Sequence, residues 1–377
     1  MIIFDLKALQ PHKSAPVHGG GVFAEYVLRR MILRNIDFMC IYDSSLEFPQ
    51  NIQRTLNEKN ITVVDIHNSN IADLNKGGRD TIFSILPEIA HCCKKCVGTI
   101  HDCREMETPY DWFYFLYPFS IQDGIREIMC MVLSKLRTKK HIEDLSLLYN
   151  HPNFFPTTIT EYSKERLAHY YPNKRFQNIK IFRTPFADYG ATIEKNNKKG
   201  GYLLMVSGNR PVKNVLRALI AFDRLVSSHK ISGIRAVVTG VNGLNFFKYR
   251  FKNPTLIETL GYVSNEKLTD LYRHAYAFIF PSLYEGFGIP PLEAMRVGTP
   301  VLAAADSAIP EVCGDAALYF DPFSIEEIQN QITTILNDNE KYRDLQEKGF
   351  KNYNNLKAIT DEDLDNYIDY AIEVDKH

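Results

Sequence analysis

Two acidic and two basic side chains define the chemistry to look for. Glu285 and Glu293 flank the loop Gly286-Phe287-Gly288-Ile289-Pro290-Pro291, and Arg210 and Lys213 sit together in Gly208-Asn209-Arg210-Pro211-Val212-Lys213-Asn214. One carboxylate of such a pair can hold the hydroxyls of a ribose while the other reaches a reacting group. Two cations at a strand exit can clamp a diphosphate and stabilise its charge on departure. Cations are unfavourable at a helix start unless an anion is present, which argues for a ligand over a solvated pair. The bland alternative for the glutamates is a solvated loop charge and a dipole complement. Simple folding does not ask for the glycine- and proline-rich loop between them, so a site is favoured.

The surrounding elements place these groups at strand tips. Ala275 to Phe280 reads as a buried parallel strand. Pro281, Gly286 and Gly288 then allow a tight turn and close approach to a ligand, and Pro290-Pro291 suits a helix start. Glu285 is therefore expected on the loop and Glu293 in the first helical turn. Both lie at the carboxyl end of a strand, where open α/β sheets bind ligands, and the helix start favours an anion. Tyr202 to Ser207 is the strand before Arg210, and Val215 to Val226 the helix after Lys213. Further strands fall at Arg235–Thr239, 260–263, Pro300–Ala304 and Leu318–Pro322. Ser264 is an N-cap with helix from Lys267, and Ile325 to Leu336 is another helix.

The first half shows the same alternation. Strands are expected near 1–6, 37–42, 61–66, 81–85, 96–100 and 154–160. Helices are expected at 52–59, 86–95, 125–136 and 162–169. His18-Gly19-Gly20-Gly21 leads into a helically spaced run from Val22 to Ile32, the strand–glycine–helix geometry that cradles phosphate. It is neither a dinucleotide fingerprint nor a Walker loop. His101 ends a strand and points into a crevice; a satisfied core histidine is the alternative.

The chain has 377 residues, 24% charged and 45% hydrophobic, with a net charge of −1. That bounds it to two or three soluble domains and gives no argument for nucleic acid. No apolar run is long enough to span a membrane, and the N-terminus lacks signal-peptide features. Seven cysteines are too few for a disulfide scaffold and favour a reducing cytoplasm. Cys92-Cys93-x-x-Cys96 with His91, His101 and Cys103 has the ligand types of a zinc site, but the run crosses a helix–strand boundary that scatters the side chains, so free thiols are preferred. The aromatic run from Tyr110 to Phe119, followed by an amphipathic helix and Arg137, Lys139 and Lys140, suits an anionic membrane surface or a lipid-linked acceptor. Core packing is the alternative.

Glu285-Gly286-Phe287-Gly288-Ile289-Pro290-Pro291-Leu292-Glu293-Ala294 resembles the signature of the family-4 retaining glycosyltransferases. The resemblance is dense over 202–322 and thinner before, at Gly20-Gly21, His101 and 158–163. It implies the GT-B fold, an α/β architecture of two doubly wound Rossmann-like domains facing each other across a cleft. The expected division is an acceptor-side domain at 1–186, a linker at 187–201, a nucleotide-sugar domain at 202–358, and a terminal helix at 359–377 crossing back. It implies retaining transfer of a sugar from a UDP-, GDP- or dTDP-sugar to a hydroxyl of a glycan or lipid-linked acceptor, in cell-surface polysaccharide or glycolipid synthesis. By resemblance, Glu285 contacts the donor sugar with the backbone of Phe287, Gly288 and Ile289, and Glu293 binds the ribose. Arg210 and Lys213 act on the diphosphate, Gly20 and Gly21 approach it, and His101 lies beside the reacting sugar. Tyr262 and Val263 flank the base. No Asp-x-Asp pair stands in a metal-binding context, so neither metal nor cofactor is expected. The rival readings are a GT-B sugar-nucleotide epimerase and a non-catalytic GT-B partner subunit.

Overall fold

The computed structural model describes residues 1–10, 19–74, 80–109, 111–117, 129, 132–172, 174–186 and 201–376. Two compact units emerge. The first comprises Met1–Cys103, Lys139–Ala187 and Lys357–His377; the second comprises Arg104–Thr138 and Asp188–Leu356.

The first unit is built on strands β1 (Ile2–Asp5), β2 (Phe38–Tyr42), β3 (Val63–Asp65), β4 (Thr81–Ser84), β5 (Lys95–Ile100), β6 (Phe154–Thr158) and β7 (Lys180–Ile181). They form one parallel sheet in the order β3-β2-β1-β4-β5-β6-β7. Ile2, Ile3 and Phe4 are all buried, as are Ile82 and Phe83, because helices cover both faces of such a sheet. Its helices are α1 (Gly19–Leu33), α2 (Gln50–Glu58), the latter part of α4 (Ser134–Tyr149, after α3 of the second unit, Arg104–Glu107), α5 (Glu161–Tyr170) and α6 (Lys174–Gln177).

The second unit carries β8 (Tyr202–Met205), β9 (Arg235–Thr239), β10 (Ile257–Leu260), β11 (Ala277–Phe280), β12 (Val301–Ala304) and β13 (Ala317–Phe320). Their parallel order, β10-β9-β8-β11-β12-β13, is the doubly wound pattern that reverses direction between its first and fourth strands. Helices α7 (Val215–Ser227), α8 (Asn265–His274), α9 (Ile289–Arg296), α10 (Ile309–Cys313) and α11 (Ile325–Asn337) connect them.

Helix α12 (Asn339–Lys376) starts in the second unit and finishes in the first. The sequence reading began it only near Asp361. Its earlier half is polar and interrupted by Gly349, which hid the periodicity. Gly349 is there for packing: a Cβ on it would lie 3.1 Å from Cγ of Met295 on α9. In the first unit, Asp365 and Asp369 of α12 pair with Arg30 and Arg34 of α1, and Tyr367 is buried against Phe83 and Phe182.

Other expectations changed. The helix expected over 86–95 is a 3-10 turn, Ile89–Cys93, since Pro87 and the early start of β5 leave no room for more. Residues 104–138 cluster with the second unit, not with the first as the sequence suggested. The expected linker, apart from Gly201, lies outside the described residues, as do Tyr110, Phe119 and most of the helix expected over 125–136. No described helix is long and apolar enough to cross a membrane.

Candidate functional site

In the second unit, β8 and β11 are adjacent strands at the point where the strand order reverses. Ligands of open α/β sheets bind outside the carboxyl ends at such a point. The loop leaving β8 carries Arg210 and Lys213, and the loop leaving β11 carries Glu285. Topology alone thus brings together residues far apart in sequence. The Lys213 Nζ donates to Glu285 Oε1 at 2.5 Å, with both side chains nearly buried. Ser282 Oγ donates to the same oxygen at 2.6 Å. Among the described residues Glu285 Oε2 has no hydrogen bond, so one carboxylate oxygen is held and the other is left for a ligand.

The loops are rigidly specified. The backbone N–H of Glu285 donates to Ser307 Oγ at 2.9 Å, from the loop after β12. Leu283 N–H donates to Val212 O at 2.8 Å, tying the two key loops together. Ser207, Asn214 and Ser307 all adopt positive φ, at 57°, 54° and 51°. Non-glycine residues there are strained, and such strain concentrates at functional sites. Gly288, with φ 99°, precedes α9 where a side chain would be costly.

Charge is concentrated on Lys213. Burial pushes its ammonium below the ordinary lysine range; Glu285 opposes that, and the nearby Arg210 and Arg104 reinforce it. Arg210 is exposed beside it. This under-solvated cation, one of three of like sign, is an environment that an incoming polyanion would relieve. The sequence reading missed Arg104, Ser282 and Ser307. A serine three positions before Glu285 was a readable signal for Ser282; nothing local signals the other two.

Glu293 sits in the second turn of α9, a correction to the expected first turn: the helix starts at Ile289, ahead of both prolines. Those prolines also remove two of the first N–H groups, so the helix start offers an anion fewer donors than expected. Burial raises the Glu293 carboxyl above the ordinary glutamate range, opposed by Tyr272 and Arg296. A raised folded-state value means stability is present at acid pH and lost as pH rises through that value. Glu293→Gln is therefore expected to stabilise the protein at neutral pH and to change little in acid. Thermal melts of both proteins across pH would check this; a gap that does not grow with pH would contradict it.

The remaining predicted residues are placed as follows. Tyr262 and Val263 follow β10, with the Tyr262 ring 93% exposed. A Cβ on Gly261 before them would lie 2.2 Å from Asn242 Oδ1, so a larger residue there would make the Asn242 side chain move. Phe287 is buried and Ile289 half-buried. Gly20, Gly21 and His101 belong to the first unit. The glycines form the first turn of α1 itself, where the sequence suggested a turn ahead of it. His101 Nε2 lies 3.0 Å from the Ile85 carbonyl, which makes that nitrogen the protonated one. Cys92 and Cys96 are buried, and burial raises both thiols, Cys92 to about 11. Among the described residues no cluster of His, Cys, Asp and Glu could hold a metal ion.

Residues 191–352, which include Arg210, Lys213, Glu285 and Glu293, match the family model described as glycosyl transferases group 1. This stretch, under half of the chain, is what the chain shares with the group 1 glycosyl transferases. Over 143 residues it is 36% identical to O-antigen chain mannosyltransferase B of Escherichia coli, covering 37% of each chain. It is 44% identical over 73 residues to O-antigen chain mannosyltransferase RfbU of Salmonella typhimurium, covering 19% of this chain and 21% of that one. The matched stretches thus span well under half of these relatives. Among solved structures it is similar to a glycosyltransferase from Rickettsia africae (TM-score 0.66, 15% identity, 99% of this chain and 98% of that one). It is also similar to WaaG, a glycosyltransferase involved in lipopolysaccharide biosynthesis (TM-score 0.61, 13% identity, 97% and 99% covered). Both likenesses extend over the whole chain and establish the two-sheet GT-B fold.

Proposed function

We propose that this protein is a retaining, metal-independent hexosyltransferase that moves mannose from a nucleotide-sugar to a hydroxyl of a glycan or lipid-linked acceptor in cell-surface polysaccharide synthesis. The observation that carries the reading is the Lys213–Glu285 pair at the β8/β11 switch point, with Arg210 open beside it. The names of the relatives favour mannose. In this mechanism Arg210 and Lys213 bind the diphosphate and stabilise it as leaving group. The free oxygen of Glu285 and the backbone of Phe287, Gly288 and Ile289 orient the sugar. Glu293 holds the ribose hydroxyls, and the exposed Tyr262 ring with Val263 receives the base. For Gly20, Gly21 and His101, which belong to the first unit, the reading keeps only the roles that the resemblance implies. No cofactor is required. The protein is placed in the cytoplasm, with peripheral contact at the inner face of the membrane.

A panel of UDP-, GDP- and dTDP-sugars tests this by thermal shift, since a ligand that binds only the folded state raises its melting temperature. GDP-mannose is expected to stabilise most, and at about 100 times its Kd by about 2.7 kcal/mol. Turnover is expected to persist in excess chelator and to retain the anomeric configuration. Stabilisation by none of the donors would reject the reading. Loss of turnover with chelator, or inversion, would reject its mechanism.

A further inference from the structure

A diphosphate esterified at both ends carries two negative charges, one on each phosphate. Glu285 offsets the charge of Lys213 through its bond to Nζ. With Arg210 the three groups therefore supply one net positive charge against two. A further cation is at hand: the charge of Arg104 acts on Lys213, as does that of Arg210. Lys213, Arg210 and Arg104 taken with Glu285 leave two positive charges, which matches the diphosphate.

The geometry of the second unit puts Arg104 there. Arg104 lies in α3, half-buried, and its carbonyl accepts from Thr108 N–H at 2.9 Å. The chain runs on to Asp111, which accepts from Arg217 Nη2 at 2.6 Å, and Arg217 Nη1 donates to Asn214 Oδ1 at 2.8 Å. Asn214 is the residue after Lys213. Beyond Asp111, Leu116 O accepts from Lys248 N–H at 2.7 Å and the Tyr117 hydroxyl accepts from Leu216 N–H at 3.3 Å. The segment is therefore tied to the cation loop and to the elements around it. Glu107, three positions after Arg104 and so its neighbour on the helical turn, acts on the loop after β12. Burial raises the Asp306 carboxyl, the Ser307 amide opposes that, and Glu107 and Asp321 add to the rise. Ser307 also accepts from the Glu285 N–H. Arg104 and Glu107 thus address the exits of β8 and β12, the strands on either side of β11. Like charges gathered at a half-buried place repel, and folding by itself does not ask for a third cation beside Lys213.

We propose that Arg104 is a third diphosphate-binding residue and sets the preference of this site for nucleoside diphosphates over monophosphates. Its guanidinium presents a planar fork of donors that suits phosphate oxygens. The inference deepens the transferase reading and rests on it.

Calorimetric titration of the full chain with UDP, GDP and dTDP, each beside its monophosphate, tests it. The native chain is expected to bind one diphosphate more tightly than the matching monophosphate. Arg104→Gln is expected to weaken that diphosphate by about 10- to 100-fold, the size of one lost hydrogen bond to a charged group, and to change the monophosphate little. Arg104→Lys keeps a point charge but loses the fork. It is expected to weaken the diphosphate by a smaller factor and to carry the test should Arg104→Gln melt early. A merely structural role would lower both affinities alike. Equal losses for diphosphate and monophosphate, or native diphosphate affinity in Arg104→Gln, would overturn this assignment and leave the transferase reading standing. A native chain that binds none of the three diphosphates would overturn both.

Discussion

Glu285→Gln is expected to lower kcat by about 100- to 1,000-fold while leaving the fold intact. The magnitude is that of removing one preorganised group that acts on developing charge. Glutamine keeps the shape and can still accept from Ser282 Oγ and Lys213 Nζ, which both donate to Oε1. What it loses is the negative charge and the acceptor character of the second oxygen. Glu285→Ala is a poorer test, because besides the charge it removes the oxygen that accepts from both Lys213 Nζ and Ser282 Oγ. Breaking one side of a buried pair costs about 3–5 kcal/mol. Lys213→Met combined with Glu285→Gln separates structure from chemistry: removing both charges is expected to restore stability, as buried pairs are often replaceable by apolar groups. The same double variant is expected to stay inactive, because the diphosphate has lost its cation. Steady-state kinetics with thermal melts on the three variants decide the matter. Native turnover in Glu285→Gln would show that the pair only holds two loops together.

How much of this was legible beforehand depends on the range of the interaction. The loop from Glu285 to Glu293 announced itself because glycine and proline have conformational uses that sequence exposes directly. The parallel strands were readable as continuous apolar runs, since both of their faces are covered. The convergence of Lys213 and Glu285 needed one more step, the strand order, because only adjacency of β8 and β11 brings them together. The supporting contacts were not readable. Ser307 reaches Glu285 from the loop after a third strand, and nothing in its own neighbourhood marks it. Asn214 looked like an ordinary loop residue, yet its Nδ2 donates to Pro281 O at 3.0 Å and to Pro322 O at 2.7 Å. It ties the exits of β11 and β13 to the cation loop. The long terminal helix was half-read for a related reason: its first part is specified by what packs on it, and not by its own periodicity. Residues 104–138 were assigned by chain order, whereas their anchoring contacts lie with the second unit.

That anchoring supplies the second large effect. Asp111→Ala is expected to destabilise the packing of this segment on α7 by about 3–5 kcal/mol. Asp111 Oδ2 accepts from Arg217 Nη2 at 2.6 Å, with the two side chains 11% and 4% exposed. Arg217 stacks 3.8 Å from the Phe113 ring centre. It also donates to Asn214 Oδ1 at 2.8 Å and to Pro322 O at 3.3 Å. Nearby, Leu216 N–H at the start of α7 donates to the Tyr117 hydroxyl at 3.3 Å. Without Asp111 the buried guanidinium has no compensating carboxylate, and the residue it steadies, Asn214, sits at positive φ next to Lys213. The effect should therefore reach the donor site, raising KM for the nucleotide-sugar along with the loss of stability. Hydrogen exchange at the Leu216 amide reads the local opening directly, and protection there is expected to fall in Asp111→Ala. Asp111→Asn keeps an acceptor oxygen and is expected to lose less, because a hydrogen bond to a charged donor still contributes about 1.5–3 kcal/mol. Adding Arg217→Met to Asp111→Ala removes the orphaned charge and is expected to recover part of the protection, a coupling that a double-mutant cycle measures. Additive losses in that cycle would mean that the segment rests on α7 through its aromatic rings alone and that the ion pair holds nothing in place.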